Sequence, residues 1–261
     1  MGSPRDRLKD SIAANRPTDL PTSPLPTVDD LTVIDGVSRL QAVDLLAAAQ
    51  AELLDKPALA VCDPQTIRGA VMLSAEIGLI PGRKGGCFFS ARGSHATWHL
   101  AYRGLAHLLL TDGGVVDLEV HEIHAGDKFE ATYRWGHDQT PGMARPASSV
   151  EHTPAVGDAG DVIGAYGVFT LADGHERYFV LSDNELAAAQ AGVETADPEA
   201  TVLDATSIAR ARLLRKAEPF LPAGPTVRRA LAADGHVPVW DTTLAQLALH
   251  DPDDFLEDTQ S

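Results

Sequence analysis

The sequence predicts an α+β fold with a mainly antiparallel sheet, flanked by helices and ended by flexible arms. Two observations predict it. Short alternating runs come in pairs around turn residues, as in 87–100 about "RGSH" and 161–181 about "ADGH". Capped helical runs lie between these pairs, where an all-β chain would place further strands. At 261 residues with 44% apolar content, the chain is long enough to bury a sizeable core.

The elements follow in order. Residues 1–35 contain five prolines and little to bury, so they read as a flexible arm. "SRLQAVDLLAAAQAELL" (38–54) reads as an amphipathic helix. In "CDPQTIRGAVMLSAEIGLIPG", Asp63 is the expected N-cap and Pro64 the first helical residue. Ile67, Val71 and Ala75 form its apolar stripe, and Gly78 ends it. "GGCFFSARGSHATWHLAY" is a hairpin, and a leucine-rich helix starts at its last residue with "YRG" (102–104). Residues 115–123 and 127–135 read as a second hairpin turning at "HAGDK", and 161–171 with 175–181 as a third. Ser182 and Glu185 form a capping box for the next helix. The last helix expected runs over 203–217 and stops at Pro219. A central domain is thus expected over 36–230, with an acidic tail over 231–261 that docks on a basic partner or on the protein's own basic groove.

The formal net charge is −16, yet the charge is sorted along the chain. Val61–Leu110 holds five Lys/Arg against two Asp/Glu, and Thr201–Ala230 holds six against two. Between them, Thr111–Ala200 holds four against seventeen, and the tail holds seven acids and no base. Local potential steers a polyanion more than net charge does, so the two basic islands keep nucleic acid open as a partner.

Motif chemistry is otherwise sparse. No HExxH is present, and His95, His99, His121 and His124 have no spacing that closes a metal site on a helix. "GRKGG" (82–86) lacks the rest of a phosphate loop and precedes a strand, and no GxSxG elbow occurs. Cys62 and Cys87 have no metal-ligand spacing and read as free thiols in a reducing cytosol. No signal peptide or membrane-spanning run is found, so a cytoplasmic protein is expected. Two alternatives stay open at this point: a metal-dependent nuclease or hydrolase using the histidines, and a protein-interaction module without a DNA role.

The basic islands carry more. At 100° per residue, Arg212, Arg215 and Lys216 fall within an arc of about 100° on the last helix, with no acid at i,i+4 to balance them. Unpaired guanidinium groups on one face suit phosphate contacts. Arg210 falls among the apolar residues of that helix and is expected to snorkel or to pair with a carboxylate. The first island has Arg68, Arg83, Lys84, Arg92 and Arg103, interleaved with Phe88, Phe89, Trp98 and Tyr102. Aromatic rings can stack unpaired bases. Alternation nevertheless places Trp98 on the buried face with Ala96 and Leu100, and Tyr102 on the packing face with Leu105 and Leu109. Arg103 points the other way, with Gly104 leaving room for a phosphate near the helix N-terminus.

In this order the pieces resemble the RecT-type single-strand annealing proteins of phages and prophages. The similar segments are "CDPQTIRGAVMLSAEIGLIPG", "LAYRGLAHLLLTDGGVVDLEVHEIHAGDKFE", "DAGDVIGAYGVFTLADG", "VLSDNEL" and "SIARARLLRKAEPFLP", and together they cover residues 50–225. The resemblance implies binding of single-stranded DNA without ATP and annealing of complementary strands to a duplex in phage-type recombination. It implies oligomers in the form of rings or helical filaments, with a partner exonuclease and the host single-strand-binding protein as further partners. No catalytic residue and no required cofactor are implied, with Mg²⁺ a possible ion. The DNA-contact residues expected are Arg103, Arg212, Arg215, Lys216, Lys84, Arg92, Arg68, Arg210 and Tyr102.

Overall fold

A reciprocal cap sets the first helix. In the computed structural model, which describes residues 24–112, 114–133, 146–196 and 205–238, the Asp30 amide donates to the Thr27 hydroxyl at 3.2 Å. The Asp30 carboxylate in turn accepts the Thr27 N–H at 2.7 Å, and α1 (Val28–Thr32) starts there. Leu31 is fully buried, and Asp30 pairs with Arg68 at 2.9 Å. The arm expected over 1–35 therefore does not extend to residue 35. One capping box, one buried leucine and one ion pair anchor the end of a stretch expected to have little to bury. Residues 1–23 lie outside the described residues.

The second helix, α2 (Arg39–Asp55), is capped the same way by Ser38 and Gln41. The third, α3 (Pro64–Ile77), begins at Asp63 and ends at Gly78, whose φ of +79° is the left-handed exit that glycine makes cheaply. Ile67, Val71 and Ala75 are buried as expected, and so are Ala70, Met72 and Leu73, so core surrounds α3 on most sides.

Strands β1 (Cys87–Arg92) and β2 (His95–Leu100) form the predicted hairpin, from Cys87 opposite Leu100 to Arg92 opposite His95. Phe89 and Trp98 fill its inner face, and the Trp98 indole N–H donates to Ser74 Oγ at 3.0 Å. Both outer edges carry bonds to other elements. On β1, the Phe89 amide donates to Glu52 and its carbonyl accepts Lys56 Nζ at 2.8 Å. On β2, the Trp98 amide donates to the His236 carbonyl at 3.1 Å, and Gly235 returns a bond to the Trp98 carbonyl at 2.9 Å.

After α4 (Tyr102–Thr111) come β3 (Val115–His124), β4 (Lys128–Thr132), β5 (Ser149–Thr153), β6 (Val162–Leu171) and β7 (Glu176–Leu181). The third predicted hairpin, β6–β7, is present. The second is not. β3 pairs with β6 along its length, and β4 pairs with β5. The turn explains the change: its Ala125 and Gly126 amides donate to the Asp161 and Ala159 carbonyls, so the chain after β3 is drawn away from β3's own edge. The sheets are thus β1–β2, β3–β6–β7 and β4–β5, all antiparallel.

Helix α5 (Asp183–Ala196) opens with the Ser182 amide donating to Glu185 at 2.9 Å. Next, α6 (Ala205–Ala217) crosses one face of β3–β6–β7. It comes so close that a methyl group on Gly167 would stand 3.1 Å from a Leu213 methyl carbon. A further helix, α7 (Pro225–Ala233), was not expected, and it runs through the boundary drawn at 230. Its exit, Asp234–His236, is bonded to β2, so the acidic tail does not begin at 231. Residues 239–261 lie outside the described residues.

Candidate nucleic-acid interface

The abrupt join after β2 is a packing device. Ala101, at φ −72° and ψ 155°, caps α4 with no side-chain bond, and its amide donates to the Gly86 carbonyl at 3.0 Å. A Cβ on Gly104 would lie 2.0 Å from that same carbonyl oxygen. The space beside Arg103 is therefore filled by the 82–86 loop and is not open to a phosphate as expected. The glycines of "GRKGG" and "YRG" let two backbones touch.

That contact sets an exposed basic corner. Arg83 and Lys84 are exposed on the loop, and Arg103 is exposed on the first turn of α4. None of the three has an ion-pair partner among the described residues. Arg103 Nε donates to the Tyr102 hydroxyl at 3.0 Å. That bond, opposed by burial and aided by Arg210, holds the phenol below its usual range. Arg210 donates to Glu122 of β3 at 2.6 Å, as the wheel had suggested for a lone arginine among apolar residues. Two guanidinium groups thus act on one half-buried phenol.

The other expected residues scatter. Arg212, rotated about 200° around α6 from Arg210, is exposed without an ion-pair partner among the described residues. Arg215 and Lys216 are not free, which corrects the unpaired stripe. Arg215 pairs with Asp234 and donates to the Leu100 carbonyl at 3.3 Å. Lys216 donates to Glu185 at 2.6 Å and to the Val180 carbonyl at 2.7 Å. The balancing acids stand on other elements, where an i,i+4 search cannot find them. Arg68 is likewise taken by Asp30. Arg92 is exposed but sits at the hairpin tip opposite His95, which is five residues or about 17 Å along β2 from Leu100. Among the aromatics, Trp98 and Phe89 are core. Phe88 is engaged by His99, stacked at 4.9 Å, and by Lys56 Nζ, 5.1 Å from its ring centroid.

A second feature was missed. On the side of β3–β6 opposite α6, His121 stacks on Tyr166 with ring centroids 4.9 Å apart, and Phe129 and His152 close around them. The His121, His152 and Tyr166 rings edge an open groove of about 480 Å³. At its base, Asp127 accepts the Ala155 and His124 amides, both at 2.8 Å, and faces His152 Nε2 at 3.0 Å. The two amides and His152 hold its carboxyl down to about 2. Alternation puts His121 and Tyr166 on one face each, but only the β3–β6 pairing, hidden in sequence, brings them together. Among the described residues, no group of three or more His, Cys, Asp or Glu is placed to hold a metal ion. No described helix is long and apolar enough to cross a membrane.

Comparison with known proteins adds the family. Protein RecT of Escherichia coli (strain K12) is 21% identical over 209 residues, covering 77% of this chain and 74% of that protein. The family model described as RecT family matches residues 43–201, from α2 through the basic corner and all three sheets. With that model matching more than half of its length, the chain belongs to the RecT family.

Proposed function

We propose that the protein binds single-stranded DNA and anneals complementary strands without ATP, acting as an oligomer, a ring or a helical filament, in phage-type recombination. The observation that carries this reading is the basic corner: Arg83, Lys84 and Arg103, exposed on two backbones in contact and without ion-pair partners among the described residues, in a RecT family chain. Like charges held together without carboxylates favour an external anion, and a row of phosphates is such an anion. Annealing makes and breaks no covalent bond, so this reading needs neither a catalytic residue nor a required cofactor, and Mg²⁺ would act only as a counterion. An oligomer lines up many weak backbone sites along one strand. A partner exonuclease and the host single-strand-binding protein complete the proposed setting, in the cytoplasm.

A salt-titrated gel shift with single-stranded DNA, run beside annealing of two complementary oligonucleotides, tests it. Affinity should fall linearly on a log–log salt plot, by about 0.7 in slope for each phosphate neutralised on a single strand. Arg103→Glu with Lys84→Glu should abolish annealing in a folded protein. Annealing at the normal rate by that folded variant, or salt-insensitive binding, overturns the reading.

A further inference from the structure

Tyr102 opens α4 half-buried against the core, while the next residue, Arg103, is exposed. The arginine folds back over its neighbour. Its guanidinium carbon lies 5.6 Å from the Tyr102 ring centroid, and Nε donates to the phenol oxygen at 3.0 Å. A guanidinium on a flexible stem gives up rotamer freedom when it binds an anion, and one already fixed on a ring gives up less. With Nε committed to the phenol, the two terminal amino groups remain as a fork that matches two oxygens of a phosphate.

A second cation acts on the same phenol. Arg210 of α6 interacts with the Tyr102 hydroxyl and, through Nε, donates to Glu122 Oε1 of β3 at 2.6 Å. Two guanidinium groups beside one oxygen repel each other, and the Glu122 carboxylate cancels one of the two charges. A single net positive charge is left, on the exposed arginine. Because α4, α6 and β3 pack on one another, the place of the hydroxyl is set by the fold.

We propose that Tyr102 and Arg210 are positioning residues for the DNA contact. The Tyr102 hydroxyl holds Arg103 with its terminal amino groups set for a phosphate, and the Arg210–Glu122 pair holds the hydroxyl. Arg103 meets the DNA, and Tyr102 and Arg210 act through it. This inference rests on the proposed binding of single-stranded DNA.

The phenol reports the contact without DNA. Of the chain's four tyrosines, Tyr102 is held below the usual range by its Arg103 bond, whereas burial raises Tyr133 and Tyr166, and the Glu176 bond raises Tyr178. In a spectrophotometric titration, the phase lost in Tyr102→Phe should therefore be the first to ionise. Arg103→Gln should move that phase upward, and so should Arg210→Gln combined with Glu122→Gln. A Tyr102 phase no earlier than the others, or one that Arg103→Gln leaves in place, overturns the proposal.

Salt-titrated binding of single-stranded DNA separates positioning from contact. Tyr102→Phe keeps every cation, so affinity should fall about threefold to tenfold, the worth of one hydrogen bond, with the salt slope unchanged. The Arg210–Glu122 double variant should do the same, and adding it to Tyr102→Phe should weaken binding no further, because both act through one side chain. Arg103→Gln should instead lower the slope by about 0.7. Full affinity in folded Tyr102→Phe, an additive loss, or a smaller slope in the Arg210–Glu122 double variant overturns the positioning role. Salt-insensitive binding by the wild-type chain overturns the DNA reading and this role with it. The phenol phase, read without DNA, still places Arg103 on Tyr102 in that case, so the two failures are told apart.

Discussion

Arg212 and Arg215 lie three residues apart on α6 and have opposite assignments. Arg215 is 28% exposed and shares Asp234 with the Leu100 amide, so its guanidinium closes the end of β2. Arg212 touches no carboxylate among the described residues and projects outward. Arg215→Ala should therefore cost about 1–3 kcal/mol of stability, the usual loss when a charge-assisted bond leaves its partner behind. Arg212→Ala should leave the melting temperature unchanged and, if its side chain meets a phosphate, reduce the salt slope of DNA binding by about 0.7. Denaturant melts and salt-titrated binding on both variants check this, and equal loss of stability in the two would contradict it. Gly104 gives a second residue-scale test. An added methyl group lies 2.0 Å from the Gly86 carbonyl oxygen, a backbone atom with no rotamer to escape through. Gly104→Ala should cost about 1–3 kcal/mol or more by overpacking, and a wild-type melt would show that the loop yields freely.

At the scale of elements, local signals proved readable and distant pairings did not. The caps of α2 and α3 and the turns of β1–β2 and β6–β7 lie within a few residues of what they organise, so sequence alone places them. The β3–β6 ladder joins residues such as His121 and Tyr166 across an intervening hairpin, and adjacency favoured β3–β4 instead. The same limit broke the basic stripe: the acid that neutralises Lys216 lies 31 residues away, and the one for Arg215 lies 19 away. The basic corner was half legible: Lys84, Tyr102, Arg103 and Arg210 were named from sequence, but Gly104 was given room for a phosphate where it makes room for the Gly86 backbone. The β4–β5 hairpin, for its part, is fastened to β6 by Asp127 through His152 and Tyr166. The Asp127 carboxyl sits at about 2 in the folded chain against an unfolded value of about 3.9. Between those values the unfolded chain binds more protons, so the stability Asp127 supplies is complete above about pH 4 and lost as pH falls toward 2. Asp127→Asn should melt below wild type at pH 7, with the gap closing across that window. A gap independent of pH would assign the loss to shape and not to charge.

Across the whole molecule, the sorted charge of the sequence becomes two distinct surfaces. Arg83, Lys84 and Arg103 gather where the 82–86 loop meets α4. By the β3–β6–β7 register, Asp117, Glu119 and Glu176 share the sheet face opposite α6. A polyanion is drawn to the first surface and repelled from the second, which orients a strand before any contact forms. Residues 241–261 add six carboxylates and no Lys or Arg to this field. They belong to the same chain, so any contact they make with the basic corner is intramolecular, at an effective concentration that a free polyanion must match. Deleting residues 241–261 should leave single-stranded DNA binding intact or tighten it. Any gain should be largest at low salt and fade as the Debye length shrinks to about 8 Å at 0.15 M. Gel shifts of the full and truncated chains across a salt series decide the matter. Markedly weaker binding by a folded truncation would show that the acidic segment supports the complex and does not compete with it.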